Sequence, residues 1–171
     1  DPKYLADMDN RDREVDRLNW LIARQVNIHQ KDIMISRRQG ADIVTITRCG
    51  TISKTIERIG DHAIVLTNNL RSLIDDDSTN LVDEEIVTTG RDVVTLFSDS
   101  VATWVAKDMD AANDCLYRGE KLVRESMSIS RMSENLSGKG ALAARIISES
   151  VKRIAEYSMD ISEMTINAAM E

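Results

Sequence analysis

The sequence predicts an all-α fold of about five long antiparallel helices. Pro2 is the single proline among 171 residues, and seven glycines are few for a protein of strands and turns. Charged residues make up 30% of the chain, which suits long solvated helix faces better than a sheet. The third observation is periodic. Apolar residues recur at alternating steps of four and three, the spacing of a stripe along one helix face.

The first segment carries Tyr4, Met8, Val15, Leu18, Ile22 and Val26 and ends near "HQKD". The second holds Ile52, Ile56, Ile59, Ala63, Leu66, Leu70 and Leu73 without a break in the spacing, and stops at the turn cluster "DDDST". A third carries Ile86, Gly90, Val93, Phe97, Val101 and Trp104, with acids at its start as the helix dipole favours. The fourth, over about 108–134, holds Ala112, Leu116, Gly119 and Val123 and ends in the glycine-rich "NLSGKGA". The fifth runs to the C-terminus through Ile147, Ser150, Ile154, Tyr157, Ile161, Met164 and Ala168. Long helices joined by short links favour antiparallel neighbours in a bundle.

An internal repeat organises these helices. "IERIGDHAIVLTNN" lies over "VKRIAEYSMDISEM" at a shift of 95, matching Arg58 with Arg153, Ile59 with Ile154 and Asp61 with Glu156. More weakly, "DREVD" lies over "EKLVR" at a shift of 108, pairing Asp12 with Glu120 and Asp16 with Arg124. The expected order is helix B and helix C in residues 1–78, then helices A, B and C in residues 79–171. A helix A ahead of residue 1 would complete a tandem pair of three-helix bundles. The chain opens on Asp1 with helix-forming residues, which agrees with that expectation.

Composition narrows the function. A net charge of −7 argues against nucleic-acid contact, which needs a basic surface to displace counterions, and no cluster of Lys and Arg is expected to interrupt that sign. No apolar run approaches ~18 residues and no signal-like leader is visible, so a cytoplasmic location is expected. Cys49 and Cys115 stand singly, without metal or redox spacing, and read as small core thiols.

The candidate site is a set of four acids. Asp12 and Asp16 lie one turn apart in the first segment, and Glu57 and Asp61 one turn apart in the second. Spacing alone says little: 29 acids in 171 residues give about five such pairs by chance. Three further features single these out. They fall on the two helices the repeat makes neighbours, Arg58 stands beside them, and Gly60 between the second pair costs roughly 1 kcal/mol in a helix interior, which suggests a close helix approach. If the two helices pack antiparallel, four carboxylates meet at one rim, a donor set that suits magnesium, manganese, calcium or iron rather than zinc. In the second copy the equivalent positions hold Glu120, Arg124, Lys152 and Glu156, so each acid pair becomes an acid/base pair that neutralises itself. A shifted second site over Asp110/Asp114 and Glu156/Asp160 is a weaker possibility.

Catalytic residues are not indicated. The chain has two histidines, no G-x-S-x-G elbow, no glycine-rich phosphate loop and no E-x-x-H pair of the di-iron oxidases. His62 reads as partly exposed, and His29 as a capping or solvent-facing residue near a helix end.

The stretches "ERIGDHA" and "DREVD" resemble the PhoU family of phosphate-uptake regulators, with the faint second copy extending the likeness over nearly the whole chain. "DREVDRLNWLIARQV" is also similar to archaeal members, some of which carry an AbrB-like domain upstream. The resemblance implies tandem three-helix bundles, frequent dimerisation, and metal ions or clusters, often iron, on the paired acidic motifs. The ligands it implies are Asp12, Asp16, Glu57 and Asp61, and Arg124 and Lys152 depart from the pattern in the second copy. The implied function is that of a non-enzymatic cytoplasmic adaptor. Such a protein restrains phosphate uptake through the transporter's ATPase subunit or a phosphate-sensing kinase, and touches the membrane only through the transporter. The alternatives are the same module on another ion transporter, or a carboxylate-bridged metal enzyme.

Overall fold

The structure, a computed structural model, describes residues 7–38, 40, 42–74 and 80–170. Its helices are α1 (Met8–Lys31), α2 (Ile33–Arg38), α3 (Ile43–Ile74), α4 (Asn80–Ala106), α5 (Met109–Met132) and α6 (Gly138–Ala169), with a 3₁₀ turn at Ser133–Asn135. No strand occurs among the described residues. The five long helices are those the stripes predict, and the six-residue α2 is an addition within the link after α1. Tyr4 and the "DDDST" cluster beyond Ile74 lie outside the described residues.

Local chemistry sets the helix ends. The Asp42 carboxylate accepts from the Thr45 amide at 2.9 Å and the Thr45 hydroxyl at 3.1 Å at the start of α3. Those bonds hold its pKa below the ordinary carboxylate value. Asp108 caps α5 by accepting from the Ala111 amide at 3.0 Å. Just ahead of it, Lys107 takes the left-handed conformation at φ 56°, and the Asp108 amide reaches back to the Thr103 carbonyl at 3.1 Å.

Two compact units are present, Asp1–Asp61 and His62–Glu171, and the division falls inside α3. The boundary expected between residues 78 and 79 lies in the 75–79 stretch, outside the described residues.

In the first unit α1 runs antiparallel to the start of α3. Val26 abuts Gly50, Ser53 Oγ donates to Asn19 Oδ1 at 3.0 Å, and Val15 and Asp12 lie beside Gly60. The seam thus follows Val15, Asn19 and Val26 rather than the full apolar stripe expected for this helix. Leu18 is 60% exposed and Ile22 36%. A polar Asn19 replaces them in the seam because Ser53 satisfies its amide. His29 is buried with Nδ1 2.7 Å from the Gln25 carbonyl, against the expectation of a solvent-facing ring, and Cys49 is exposed rather than a core thiol.

In the second unit α4, α5 and α6 contact one another pairwise as a three-helix bundle. The antiparallel α4–α5 pair is marked by Arg118 to Asp99 at 2.7 Å and by a Ser128–Glu85 hydrogen bond. The antiparallel α5–α6 pair is marked by Ser148 donating to the Ser126 carbonyl at 2.6 Å. Gly119 and Met159 make the tightest approach: a Cβ on Gly119 would stand 2.3 Å from Met159 Cγ. The α4 stripe is corrected. Its buried ridge runs Val82, Ile86, Thr89, Val93, Leu96, Ser100, Thr103, one position off the expected Phe97, Val101 and Trp104, which are half-buried. Thr89 and Ser100 donate to carbonyls four residues back and Thr103 to one three back, so burial leaves no hydroxyl unsatisfied. Cys115 is buried as expected, and burial pushes its thiol pKa up despite Ser100 and Ser162 nearby.

Candidate functional site

The α1–α3 seam brings the four predicted acids into one electrostatic neighbourhood. α1 supplies Asp12 and Asp16, α3 supplies Glu57 and Asp61, and the antiparallel register places Asp12 opposite Gly60, where a Cβ would lie 3.8 Å from Asp12 Oδ1. Asp12, Asp16 and Glu57 are half-buried and Asp61 is exposed. The pKa of Asp12 is raised, first by partial burial, then by the charges of Asp16, Asp61, Asp9 and Glu57 in that order. All three other members of the predicted quartet therefore act on Asp12. The four charges that raise it are all carboxylates.

The expected close approach at Gly60 is ordinary van der Waals contact, with Val15 Cγ1 at 3.7 Å from the position of a Cβ. The tighter seam contact is at Gly50, where a Cβ would fall 2.9 Å from Val26 Cγ2.

A cation partner that the sequence reading missed is Lys54, whose ammonium pairs with the Glu57 carboxylate one turn away. The i,i+3 spacing was its available signal. Under the 95-residue shift, Lys54 and Glu57 correspond to Glu149 and Lys152, which stand 3.9 Å apart with the signs exchanged.

The second copy neutralises its own acids. Arg124 lies 3.9 Å from Glu120, Lys152 3.8 Å from Glu156, and Arg153 3.0 Å from both Glu149 and Glu156. Glu156 and then Glu149 raise the Arg153 pKa. Asp114, half of the weaker alternative, is 3.5 Å from Arg118, which also holds Asp99. His62 is half-buried with its ring 5.9 Å from that of Tyr157, and these two residues are themselves related by the repeat shift.

As a ligand set the quartet fits a hard cation by donor type. Its side chains do not form a closed cage: among the described residues no three His, Cys, Asp or Glu side chains converge to hold a metal ion. Glu57 in particular is engaged by Lys54.

No described helix is long and apolar enough to cross a membrane. Comparison with curated proteins and with solved structures gave no match. Comparison with family models gave one, the PhoU domain, over residues 1–69, which contain α1, α2 and most of α3 together with the whole acidic quartet. Proteins of that family are regulators of phosphate transport. Over residues 1–69, less than half of its length, the chain is similar to the PhoU domain family.

Proposed function

We propose that this chain is a non-enzymatic, metal-responsive regulator of phosphate uptake, working in the cytoplasm as an adaptor on a phosphate transporter's ATPase subunit or its sensor protein. The observation that carries the metal reading is the field at Asp12, where four neighbouring carboxylates push in one direction. Asp12, Asp16, Glu57 and Asp61 would hold a divalent or trivalent ion such as iron, manganese or magnesium, which when bound supplies the missing positive charge. Rotation of these side chains on fixed helices is required, and Glu57 must leave Lys54 to join. Cancelling that charge remodels the seam's outer surface, and docking to the partner follows metal occupancy. Within this reading residues 1–78 and 79–171 are two copies of one helical repeat, and the protein works as a homodimer. The second copy lacks a site because Arg124 and Lys152 stand in the equivalent positions.

The test is metal content by elemental analysis after loading with Fe²⁺ or Mn²⁺ and desalting. Asp16→Ala with Asp61→Ala is expected to abolish uptake while circular dichroism keeps the helical signal; unchanged metal content removes the site assignment. A phosphatase and peroxidase screen of the loaded protein is expected to be negative, and turnover in it would overturn the non-enzymatic reading.

A further inference from the structure

Away from its contact with α3, α1 carries a ridge of four exposed cations and a tryptophan along one line. Arg13, Arg17, Trp20, Arg24 and Lys31 recur at steps of four, three, four and seven, which places all five along one line of the helix. At 100° per residue this line lies about 150° around α1 from the seam residues Val15, Asn19 and Val26. All five are exposed, Trp20 at 74%. Other exposed arginines are held by acids, Arg11 by Asp7 and Arg153 by Glu149 and Glu156, while Arg91, Arg131 and Arg145 make no ion pair among the described residues but each lies on a different helix. None of Arg13, Arg17, Arg24 or Lys31 makes an ion pair among the described residues. Around Trp20, the side chains of Glu14, Arg17, Leu18, Leu21 and Arg24 border an open hollow of about 640 Å³.

We infer that this ridge is a docking surface for an anionic lipid bilayer. Four unpaired cations along about 27 Å of rigid helix match a surface of phosphate headgroups. Trp20 and the exposed Leu21 beside it supply the amphipathic and apolar anchors that settle at headgroup depth. The chain's net charge of −7 does not prevent this. At physiological salt charges more than about 8 Å away are largely screened, so the bilayer responds to charges within a turn of the ridge, where Asp9, Glu14 and Asp16 offset Arg13 and Arg17 in part and leave Arg24 without an acid nearby on the helix. The ridge stands against the expectation that no cluster of Lys and Arg is present, because helical interleaving with other residues hides it in the linear chain.

Co-sedimentation of the full chain with phosphatidylcholine vesicles, with and without 30% phosphatidylglycerol, tests the inference. Binding is expected only with the anionic lipid and is expected to be lost in 0.5 M NaCl. It should bring a blue shift of Trp20 emission, read in a Trp104→Phe background. Arg17→Gln is expected to weaken partitioning about fivefold, and Arg17→Gln with Arg24→Gln about twenty-five-fold, from the roughly 1 kcal/mol that each cation near an anionic surface contributes. Arg131→Gln with Arg145→Gln, exposed sites elsewhere, should leave it unchanged. No dependence on phosphatidylglycerol, or an equal loss in the control variant, overturns the inference. Tighter binding to a 15-residue polyglutamate peptide or to a 20-base-pair DNA duplex than to the vesicles also overturns it, and assigns the ridge to a protein or a nucleic acid instead.

Discussion

Ser53 Oγ donates to Asn19 Oδ1 at 3.0 Å inside the buried seam between α1 and α3, and this bond sets the register that puts Asp12 opposite Gly60. Between two packed helices, a satisfied buried polar pair specifies one alignment. Ser53→Ala leaves the Asn19 amide oxygen without its donor and should destabilise the chain by about 1–3 kcal/mol. Replacing both partners, Asn19→Leu with Ser53→Ala, should recover most of that loss. Urea unfolding of the three proteins measures it, and a double variant as weak as the single one would show that the bond does not set the seam.

Asp12 destabilises the metal-free fold at neutral pH. Its carboxyl titrates higher folded than unfolded, so the folded chain binds more protons in the window upward from 3.8. Stability therefore falls as pH rises through that window and returns on acidification. Asp12→Asn should stabilise the metal-free protein at pH 7 by about 0.2–0.5 kcal/mol, the scale of a like-charge helix pair, and the gain should vanish below the window. The same variant should lose the rise in Tm that Mn²⁺ gives the parent protein. Thermal melts at pH 3.5 and pH 7, with and without Mn²⁺, check both halves.

Gly119 and Gly60 should respond oppositely to alanine. A Cβ at Gly119 meets Met159 Cγ at 2.3 Å and Sδ at 2.6 Å, so Gly119→Ala forces α5 and α6 apart or displaces the thioether. A loss of about 1–3 kcal/mol is expected. At Gly60 the nearest atoms are at 3.7 and 3.8 Å, and Gly60→Ala should gain up to about 1 kcal/mol of helix propensity. Chemical denaturation of the two variants would show the opposite signs.

Lys107 holds a left-handed backbone at φ 56° between α4 and the Asp108 cap. An L side chain there costs about 1–2 kcal/mol, partly offset on substitution by the extra freedom of an unfolded glycine. Lys107→Gly should raise Tm by about 2 °C, and Lys107→Val, whose branched Cβ resists this conformation, should lower it.

Helix number, length and approximate ends were legible because they depend on local signals: stripe period, capping acids and glycine placement. The face each helix buries was less legible. On α4 the apolar reading followed Phe97, Val101 and Trp104, whereas the ridge through Ser100 and Thr103 is the buried one. In a helix these hydroxyls donate to carbonyls of the preceding turn, so small polar residues fill close-packed seams at little cost and escape a hydrophobicity pattern.

The four acids of "DREVD" and "IERIGD" were named from the chain alone, and so was the self-neutralisation of their counterparts. One-turn spacing on adjacent helices determines which charges share a face. Lys54 on Glu57, the opposition of Asp12 and Gly60, and the exposure of the Arg13–Lys31 ridge were decided only by the tertiary structure. Helical periodicity sets the angle of each side chain about its own axis, but which angle becomes the inside depends on where the neighbouring helix lies.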